Sequence, residues 1–214
     1  MRGAALLEHE RQAWEAGVQR LAGVDEAGRG PLAGPVVASA VIIERSRLES
    51  EANRLFKGLT DSKKLSRSRR EFFFEILINS PFVQVGIGSA EVGEIDSLNI
   101  LNATHLAMTR AVRQLEPLPD HVLVDGLPVK GLPCSSTPIV KGDALSLSIA
   151  AASIVAKVTR DRLMLELDRQ YPQYGFARHM GYGTAVHIAA LRQHGPAPCH
   201  RRSFAPVSQL SLDF

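Results

Sequence analysis

The sequence predicts an α/β domain, because short apolar segments typical of β-strands alternate with longer segments of helical periodicity. Leu21–Val24 is the first predicted strand, and the β-branched run Val36–Ile43 is the second. The clearest helices are Asn99–Leu115, where apolar residues recur at helical spacing, and an alanine-rich segment that runs to about Gln170. A chain of 214 residues is long enough to bury a substantial core around such elements.

Shorter elements are predicted between these. Residues 44–70 are charged, and we expect an irregular segment there, followed by a helix over Glu71–Ile78 and an alternating strand over Phe82–Ala90. His121–Val124 is a brief buried strand, and Ile139–Val140 is another that follows a turn-rich stretch. Strands and helices therefore alternate along most of the chain.

Four regions follow from this pattern. Residues 1–20 form an N-terminal extension, and residues 21–170 form the α/β core. Residues 171–207, rich in Gly, Pro, His and Arg, predict a small helical lobe, and residues 208–214 form a tail.

Composition favours a cytosolic protein with a polyanionic partner. The formal net charge is +3, which leaves room for a basic face, although an ordinary solvated surface explains it equally well. Cys134 and Cys199 are not spaced as a metal or disulfide motif, which favours a reducing compartment. The first twenty residues lack the apolar run of a signal peptide, and no segment has the length of a membrane span. We expect a cytosolic monomer without membrane contact.

Acidic residues directly follow several predicted strands. Asp25 and Glu26 follow the first strand, Asp125 follows His121–Val124, and Asp143 lies just before the alanine-rich helix. Sites in sheets flanked by helices tend to form where strands end. Four carboxylates there would repel one another unless a cation neutralised them, and oxygen ligands suit Mg²⁺ or Mn²⁺. Two such ions about 4 Å apart can stabilise the attacking and leaving oxygens of an in-line displacement.

Each carboxylate also has a simpler structural interpretation. Asp125 can be a turn residue, and Asp143 can cap the following helix. Neighbouring side chains in a strand point to opposite faces, so Asp25 and Glu26 can share a metal site only if the chain bends. Gly28 would permit that bend. The four carboxylates together are therefore a stronger indication than any one of them.

Six segments of the chain, in order, resemble the motifs of bacterial ribonuclease HII. They are GVDEAGRGPLAGPVVASAVI from Gly23, DSKKLS (Asp61–Ser66), EIDSLNILNAT (Glu94–Thr104), VLVDG (Val122–Gly126), KGDALSLSIAAASIVAKVTRDR (Lys141–Arg162) and HRRSFAPV (His200–Val207). The related ribonuclease HIII usually carries an extra N-terminal domain, whereas only about twenty residues precede the first motif here. The resemblance implies a ribonuclease H-like mixed sheet flanked by helices, with a small C-terminal helical lobe.

The activity implied by this resemblance is endonucleolytic hydrolysis of RNA paired with DNA. Its substrates would be RNA–DNA hybrids and single ribonucleotides embedded in duplex DNA, cut to leave 3′-hydroxyl and 5′-phosphate ends. The family's metal-binding quartet falls on Asp25, Glu26, Asp125 and Asp143, which would hold two divalent ions, Mn²⁺ or Mg²⁺.

Substrate contacts are implied in the same way. The family's GRG motif falls on Gly28, Arg29 and Gly30, which would read the ribose 2′-hydroxyl, and its substrate-sensing tyrosine falls on Tyr182. Lys63 resembles a basic residue near the site. From local sequence alone, Arg29 can instead pair with a carboxylate, Tyr182 can be a half-buried lobe residue, and Lys63 can be a solvated lysine.

Two other functions are compatible with parts of the sequence. A catalytically silent nucleic-acid-binding module would be expected to lack one of the four carboxylates, and all four are present. Another two-metal enzyme, such as a junction resolvase, would have no use for residues that sense a 2′-hydroxyl.

The tail, Gln209–Phe214, reads QLSLDF and permits two interpretations. Its apolar residues can fold back onto the domain. Alternatively, the segment resembles the short peptides by which bacterial replication and repair enzymes bind the sliding clamp, with Leu212 and Phe214 in an apolar pocket and Gln209 at its rim.

Overall fold

A computed structural model describes residues 6–52 and 54–210 of the chain, and a five-stranded mixed sheet lies at its centre. The strand order is β3-β2-β1-β4-β5. The strands are β1 (Leu21–Ala27), β2 (Val36–Ile43), β3 (Val83–Ala90), β4 (His121–Asp125) and β5 (Ser135–Ile139). β2 pairs antiparallel with β1 and β3, whereas β4 pairs parallel with β1 and β5. β1 is therefore the central strand, and its C-terminal end lies beside that of β4.

Helices cover both faces of the sheet. In the described residues they are α1 (Glu8–Glu15), α2 (Arg45–Glu51), α3 (Arg67–Asn79), α4 (Val92–Arg113), α5 (Leu147–Gln170), α6 (Phe176–His179), α7 (Ala185–His194) and α8 (Val207–Leu210). The same ranges of the chain contain three short 3₁₀ turns, at Ser62–Lys64, Gly142–Ala144 and Pro172–Tyr174. The predicted mixed sheet flanked by helices, with a C-terminal helical lobe, is confirmed.

Alternation along β1 divides the core into two layers. Leu21 faces the layer that contains α1, α3 and α5, whereas Ala22 and Val24 face the layer that contains α4. Gly23 permits the closest approach of α5 to the sheet, because a Cβ atom there would lie 2.1 Å from the carbonyl carbon of Ser148. A third cluster of buried side chains fills the lobe formed by α6, α7 and α8.

Residues before β1 pack on the same core as the rest of the chain. Leu7 and Trp14 are buried against the layer that contains α5, and the Arg45 guanidinium lies 4.9 Å from the centre of the Trp14 ring. No helix in the described part of the chain has the length and hydropathy needed to cross a membrane.

The prediction of an irregular segment over residues 44–70 was wrong. The segment contains α2, a 3₁₀ turn and the first turn of α3. Ser66 caps α3 by accepting a hydrogen bond from the Arg69 amide at 3.3 Å, and Arg67 and Arg69 in the first turn are exposed. The charged sequence therefore reflects an exposed helical face, while Phe73 and Leu77 bury the opposite face.

The helix predicted over Asn99–Leu115 begins earlier, at Val92, and is kinked at Asn99. Asn99 has φ 66° and ψ 162°, a conformation that is rare outside glycine. Its side-chain oxygen accepts hydrogen bonds from the amides of Leu101 and Asn102, at 3.0 and 3.1 Å. Asn99 therefore caps the second half of the helix, which is why the sequence pattern begins there.

Candidate active site

Three aspartates meet at the C-terminal edge of β1 and β4. Asp25 lies in β1, Asp125 ends β4, and Asp143 lies in the turn Gly142–Ala144. One carboxylate oxygen from each lies within 4.8 Å of the others. The parallel register of Val24 with Val124 brings Asp25 and Asp125 to the same edge. These three residues, which we call the aspartate group, could hold a metal ion.

The turn that carries Asp143 is fastened to Asp125. The amides of Gly142 and Asp143 both donate to Asp125 Oδ1, at 2.6 and 3.4 Å. Gly142 packs closely, since a Cβ atom there would lie 2.6 Å from the Cδ1 atom of Ile149 and 3.2 Å from the Cβ atom of Ile139. The interpretation of Asp143 as a helix cap was wrong, because Ser146 is the residue whose side chain caps α5.

Burial and mutual repulsion raise the carboxylate pKa values. The pKa of Asp25, which is only 6% exposed, lies well above its usual range because of burial and the charges of Glu26 and Asp125. The pKa of Asp143 rises to about 6, mainly through burial and then through the charge of Asp125. Burial lowers the pKa of Lys63, but nearby carboxylates, Asp25 foremost, outweigh it and the net shift is upward. Protonation and cation binding therefore compete at this edge of the sheet.

Glu26 lines the same cleft as Asp25 but is not one of the aspartate group. Arg29 Nη1 donates to Glu26 Oε1 at 3.4 Å, so the predicted alternative of an Arg29–carboxylate pair is present. Burial raises the pKa of Glu26, and the Arg29 charge opposes that shift. The chain bends just after β1, at Gly28, whose φ is +97°.

A cleft of about 560 Å³ lies beside the aspartate group. Among its lining residues are most of those predicted from sequence, namely Asp25, Glu26, Gly28, Arg29, Gly30, Lys63 and Tyr182. A Cβ atom on Gly30 would lie 3.6 Å from the Cε1 atom of Tyr182, so the tyrosine ring stands next to the glycine backbone. The ring is 46% exposed, which leaves it accessible from the cleft.

Arg201, which the sequence analysis did not assign, holds the glycine loop between β1 and β2. Its side chain is fully buried, and its Nη2 donates to the carbonyl oxygens of Gly28 at 2.6 Å and Gly34 at 2.8 Å. Its Nη1 donates to the Arg29 carbonyl at 2.9 Å, and its Nε adds a second bond to Gly34. Burial lowers the pKa of Arg201 to about 9, so it still carries its charge at neutral pH.

Arg160 joins the same loop to the turn that precedes Tyr182. Its three guanidinium nitrogens donate to the carbonyls of Ala33, Pro35 and Met180, at 3.0, 3.0 and 3.1 Å. Burial lowers its pKa to about 10. One sequence signal could have identified Arg160, namely a charged residue at an apolar position of the helical pattern. It lies on the buried face of α5, four residues before Met164.

Three histidines of the lobe support the Tyr182 turn rather than a metal. His187 Nε2 lies 3.0 Å from His200 Nε2, and His187 Nδ1 lies 2.9 Å from the Tyr182 carbonyl. His179 stacks on His187, with ring centres 4.6 Å apart. Burial lowers the pKa of His200 to about 4, so His200 is neutral near pH 7, and burial also lowers the pKa of His187. Among the described residues, the aspartate group is the one cluster whose geometry suits an ion.

Comparisons with known proteins point to one family. The model of the ribonuclease HII family matches residues 22–207. A ribonuclease HII from Geobacillus kaustophilus is 54% identical over 205 residues, which cover 96% of this chain and 75% of the relative. The crystal structure of ribonuclease H2 from Pyrococcus horikoshii is similar, with a TM-score of 0.74 and 27% identity over 91% of this chain and 98% of that one. The PCNA:RNase HII complex from Archaeoglobus fulgidus shares the fold, with a TM-score of 0.69 and 24% identity over 85% and 93% of the two chains.

Proposed function

The chain belongs to the ribonuclease HII family and is a ribonuclease H hydrolase, and from this premise we propose that it cuts both RNA–DNA hybrids and single ribonucleotides embedded in duplex DNA. The observation that carries the proposal is the position of the aspartate group beside a cleft lined by Gly30 and the exposed Tyr182 ring. Carboxylates that can hold cations thus lie next to a backbone loop that can approach a sugar closely.

The metal centre would take two divalent ions, Mg²⁺ or Mn²⁺, held by Asp25, Asp125 and Asp143 with Glu26 at its edge. The donor set fits such ions, because it consists of oxygens alone and the charge of Asp125 raises the pKa of both Asp25 and Asp143. Bound ions would supply charge neutralisation at the phosphate and a nucleophilic water. Hydrolysis in this arrangement leaves 3′-hydroxyl and 5′-phosphate ends.

Glu26 and Lys63 would adjust to the substrate at this centre. Glu26 is paired with Arg29, an ion pair in which Arg29 is half-exposed, so the guanidinium can exchange Glu26 for a phosphate oxygen. Lys63 lies among the carboxylates and would offset their charge as the phosphate approaches.

The glycine loop would recognise the ribose through its amides. A trans peptide points each carbonyl away from the following N–H group. Arg201 donates hydrogen bonds to the carbonyls of Gly28 and Arg29, so the amides that follow them, those of Arg29 and Gly30, point away from Arg201. Those amides would donate to a 2′-oxygen in the cleft, which DNA lacks.

Tyr182 would select the junction between ribonucleotide and DNA. Its ring adjoins Gly30 and can stack on the sugar that follows the ribose. The turn that carries Tyr182 is held by hydrogen bonds of Arg160 to the Met180 carbonyl and of His187 to the Tyr182 carbonyl. We propose that the lobe over residues 171–207 acts in this way as the second wall of the substrate cleft.

The decisive experiment is cleavage of a DNA duplex that contains one ribonucleotide. All-DNA and all-RNA duplexes of the same sequence serve as controls, each with Mg²⁺, with Mn²⁺ and with a chelator. We expect a single metal-dependent cut next to the ribonucleotide, with a 5′-phosphate on the downstream product. Equal cleavage of the all-DNA duplex, or a cut that persists in chelator, would contradict the proposal.

The tail is proposed to contact a sliding clamp. Gln209 is exposed at the end of α8, while Leu212 and Phe214 lie outside the described residues. The A. fulgidus ribonuclease HII forms a complex with PCNA, which supports such a contact here. Tethering would raise the local concentration of the enzyme on newly copied DNA.

A paired substitution tests the clamp contact. Replacing Leu212 and Phe214 by alanine should abolish clamp binding and leave cleavage of a short duplex unchanged, whereas Ser211→Ala should alter neither. Clamp binding that survives the double substitution, or a fall in melting temperature comparable to that of a core variant, would favour the fold-back alternative.

A further inference from the structure

The N-terminus of α5 is completed by residues from the start of the chain. The carboxylate of Glu10, on α1, is fully buried, and its Oε1 accepts hydrogen bonds from the Ser148 amide at 2.9 Å and the Ser146 hydroxyl at 2.7 Å. The Leu147 amide donates to the carbonyl of Leu6 at 2.9 Å. The first amides of a helix have no partner within it. Here two of them are satisfied from a segment that precedes the region matched by the family model.

Hydrogen bonds lead from Glu10 to the aspartate group. Ser146, which binds Glu10, donates its amide to the carbonyl of Gly142 at 2.8 Å. The Gly142 amide in turn donates to Asp125 Oδ1 at 2.6 Å. Asp143 lies in the chain between Gly142 and Ser146. The Gly142–Ala144 turn carries Asp143 and binds Asp125. It is therefore hydrogen-bonded directly to Ser146, the residue that binds Glu10.

The opposite side of the same helical turn rests on β1. A Cβ atom on Gly23 would lie 2.1 Å from the carbonyl carbon of Ser148, so no side chain separates α5 from the strand there. Gly23 precedes Asp25 by two residues. The first turn of α5 is thus fixed between Glu10 on one side and the strand that carries Asp25 on the other.

A buried carboxylate is a costly way to fill this position. Glu10 Oε2 has no hydrogen-bond partner in the described structure, and a partly satisfied buried carboxylate is unfavourable. Ser146 already caps the helix by accepting from the Ile149 amide at 3.2 Å. That cap leaves the amide of the buried Ser148 without an acceptor, and Glu10 supplies it. The Glu10 carboxylate therefore acts on the positions of Ser146 and Ser148, the two residues that donate to it.

We propose that Glu10 is a positioning residue for the metal centre, acting through Ser146 and the Gly142–Ala144 turn on Asp143 and Asp125. The inference rests on the proposed metal-dependent function. Removing a group that is hydrogen-bonded directly to a metal ligand commonly changes metal affinity about 10- to 100-fold. Glu10 lies two hydrogen bonds beyond the Gly142 amide that binds Asp125, so we expect an effect at the lower end of that range. The N-terminal segment is therefore part of the active centre although it lies outside the cleft.

Four variants of the full chain test this role. Glu10→Ala removes the acceptor, and Glu10→Gln keeps an oxygen that can accept both bonds. Trp14→Ala removes a buried side chain of the same helix and keeps the Glu10 carboxylate, and Glu15→Ala changes an exposed residue. Manganese binding is measured by calorimetry, and amide hydrogen exchange is followed across residues 142–148.

The expected result separates positioning from stability. Glu10→Ala should weaken Mn²⁺ binding by about tenfold and speed exchange at residues 142–148, while Glu10→Gln stays within about threefold of wild type. Trp14→Ala should lower the melting temperature yet keep both readouts near wild type. Unchanged exchange in Glu10→Ala, or an equal loss of Mn²⁺ affinity in Trp14→Ala, would overturn the proposal.

Failure of the proposed metal centre would be recognised separately. Wild type and Asp25→Asn would then bind Mn²⁺ equally, which would overturn the metal function and with it the metal part of Glu10's role. The exchange measurement would still decide whether Glu10 fixes the turn.

Discussion

The aspartate group and the glycine loop border the same cleft but are stabilised in opposite ways. Asp25 is buried among other acids, and its pKa is raised by burial and by their charges. The glycine loop instead has its carbonyls satisfied by the buried arginines Arg160 and Arg201, all of whose guanidinium nitrogens donate to backbone oxygens.

This difference separates binding of cations from recognition of the sugar. The aspartate group is electrostatically unfavourable by itself, so a cation gains much by binding there. The loop carbonyls are already bound by Arg160 and Arg201, so we expect little rearrangement of its amides on meeting a 2′-hydroxyl. Four predictions test whether the two regions are as independent as this comparison requires.

The largest effect is expected for Asp25→Asn. Turnover should fall by at least about 10³-fold, because a ligand of the metal centre is lost and each tenfold in rate corresponds to about 1.4 kcal/mol of barrier. The melting temperature should stay constant or rise, since the amide relieves repulsion at a buried position. Initial rates at saturating Mn²⁺ and scanning calorimetry provide the measurements.

Glu166→Gln is the matched control, because Glu166 belongs to an exposed pair with Arg169. Near-normal turnover of Asp25→Asn would remove Asp25 from the metal centre. A large drop in melting temperature would show that the aspartate stabilises the fold instead.

Arg201→Ala should have the next largest effect, and on stability rather than on metal binding. Removing the side chain leaves the buried carbonyls of Gly28 and Gly34, and the partly buried carbonyl of Arg29, without these donors. We expect the free energy of unfolding to fall by about 2–4 kcal/mol. Denaturant titration measures the loss, and calorimetry should find Mn²⁺ affinity unchanged.

Arg202→Ala is the neighbouring control, because that side chain is exposed. If Arg201→Ala weakened Mn²⁺ binding as strongly as Asp25→Asn does, the two regions could not be regarded as separate.

Tyr182→Ala should reduce cleavage at the RNA–DNA junction by about tenfold, in line with a stacking contribution of roughly 1–3 kcal/mol. Binding to plain duplex DNA should change little, and stability should stay within about 0.5 kcal/mol because the ring is half-exposed. Single-turnover rates and duplex binding are compared at one salt concentration, with Val186→Ala as an exposed control from the same lobe. Equal losses in cleavage and in plain-duplex binding would count against a role at the junction.

The smallest effect concerns pH. Because the pKa of Asp143 is raised to about 6, Mn²⁺ binding should be about fourfold or more weaker at pH 5.5 than at pH 7.5, as protons compete for the carboxylate. In the metal-free protein, pH acts on folding stability in the opposite direction, so stability falls as pH rises. A raised carboxylate pKa contributes stability that is present below about pH 4 and is lost as pH rises through about 6.

Calorimetry across this range checks the first effect, and thermal unfolding without metal checks the second. Arg160 and Arg201 keep their charges throughout, since their pKa values of about 10 and 9 lie above the range. A pH dependence that persists unchanged in Asp143→Asn would assign it to another group.

Much of the site was predictable because it depends on local pattern. Acidic residues that directly follow apolar strands pointed to one edge of the sheet, and the structure brings Asp25, Asp125 and Asp143 together there. The bend at Gly28 was also predictable, since glycine alone adopts its positive φ readily.

The missed residues depend on distant partners. Arg201 binds the carbonyl of Gly28, which lies 173 residues earlier in the chain. Glu10 binds the amide of Ser148, which lies 138 residues later. A backbone carbonyl or amide carries no signature in the sequence, so neither pairing has a pattern to reveal it. Residues 44–70 were misjudged for a different reason, because charge on an exposed helix resembles charge in an irregular segment.

The long span between Gly28 and Arg201 has a consequence for how the protein is made. At roughly 5–20 residues per second, ribosomal synthesis separates these two residues by on the order of ten seconds or more. During that interval the glycine loop exists without the arginine that orients its carbonyls, while Asp25 has already been synthesised. Contacts of such long range also form late in folding, because closing the intervening loop costs entropy. An unfinished chain therefore carries the first of its carboxylates beside a loop that is not yet able to recognise a ribose.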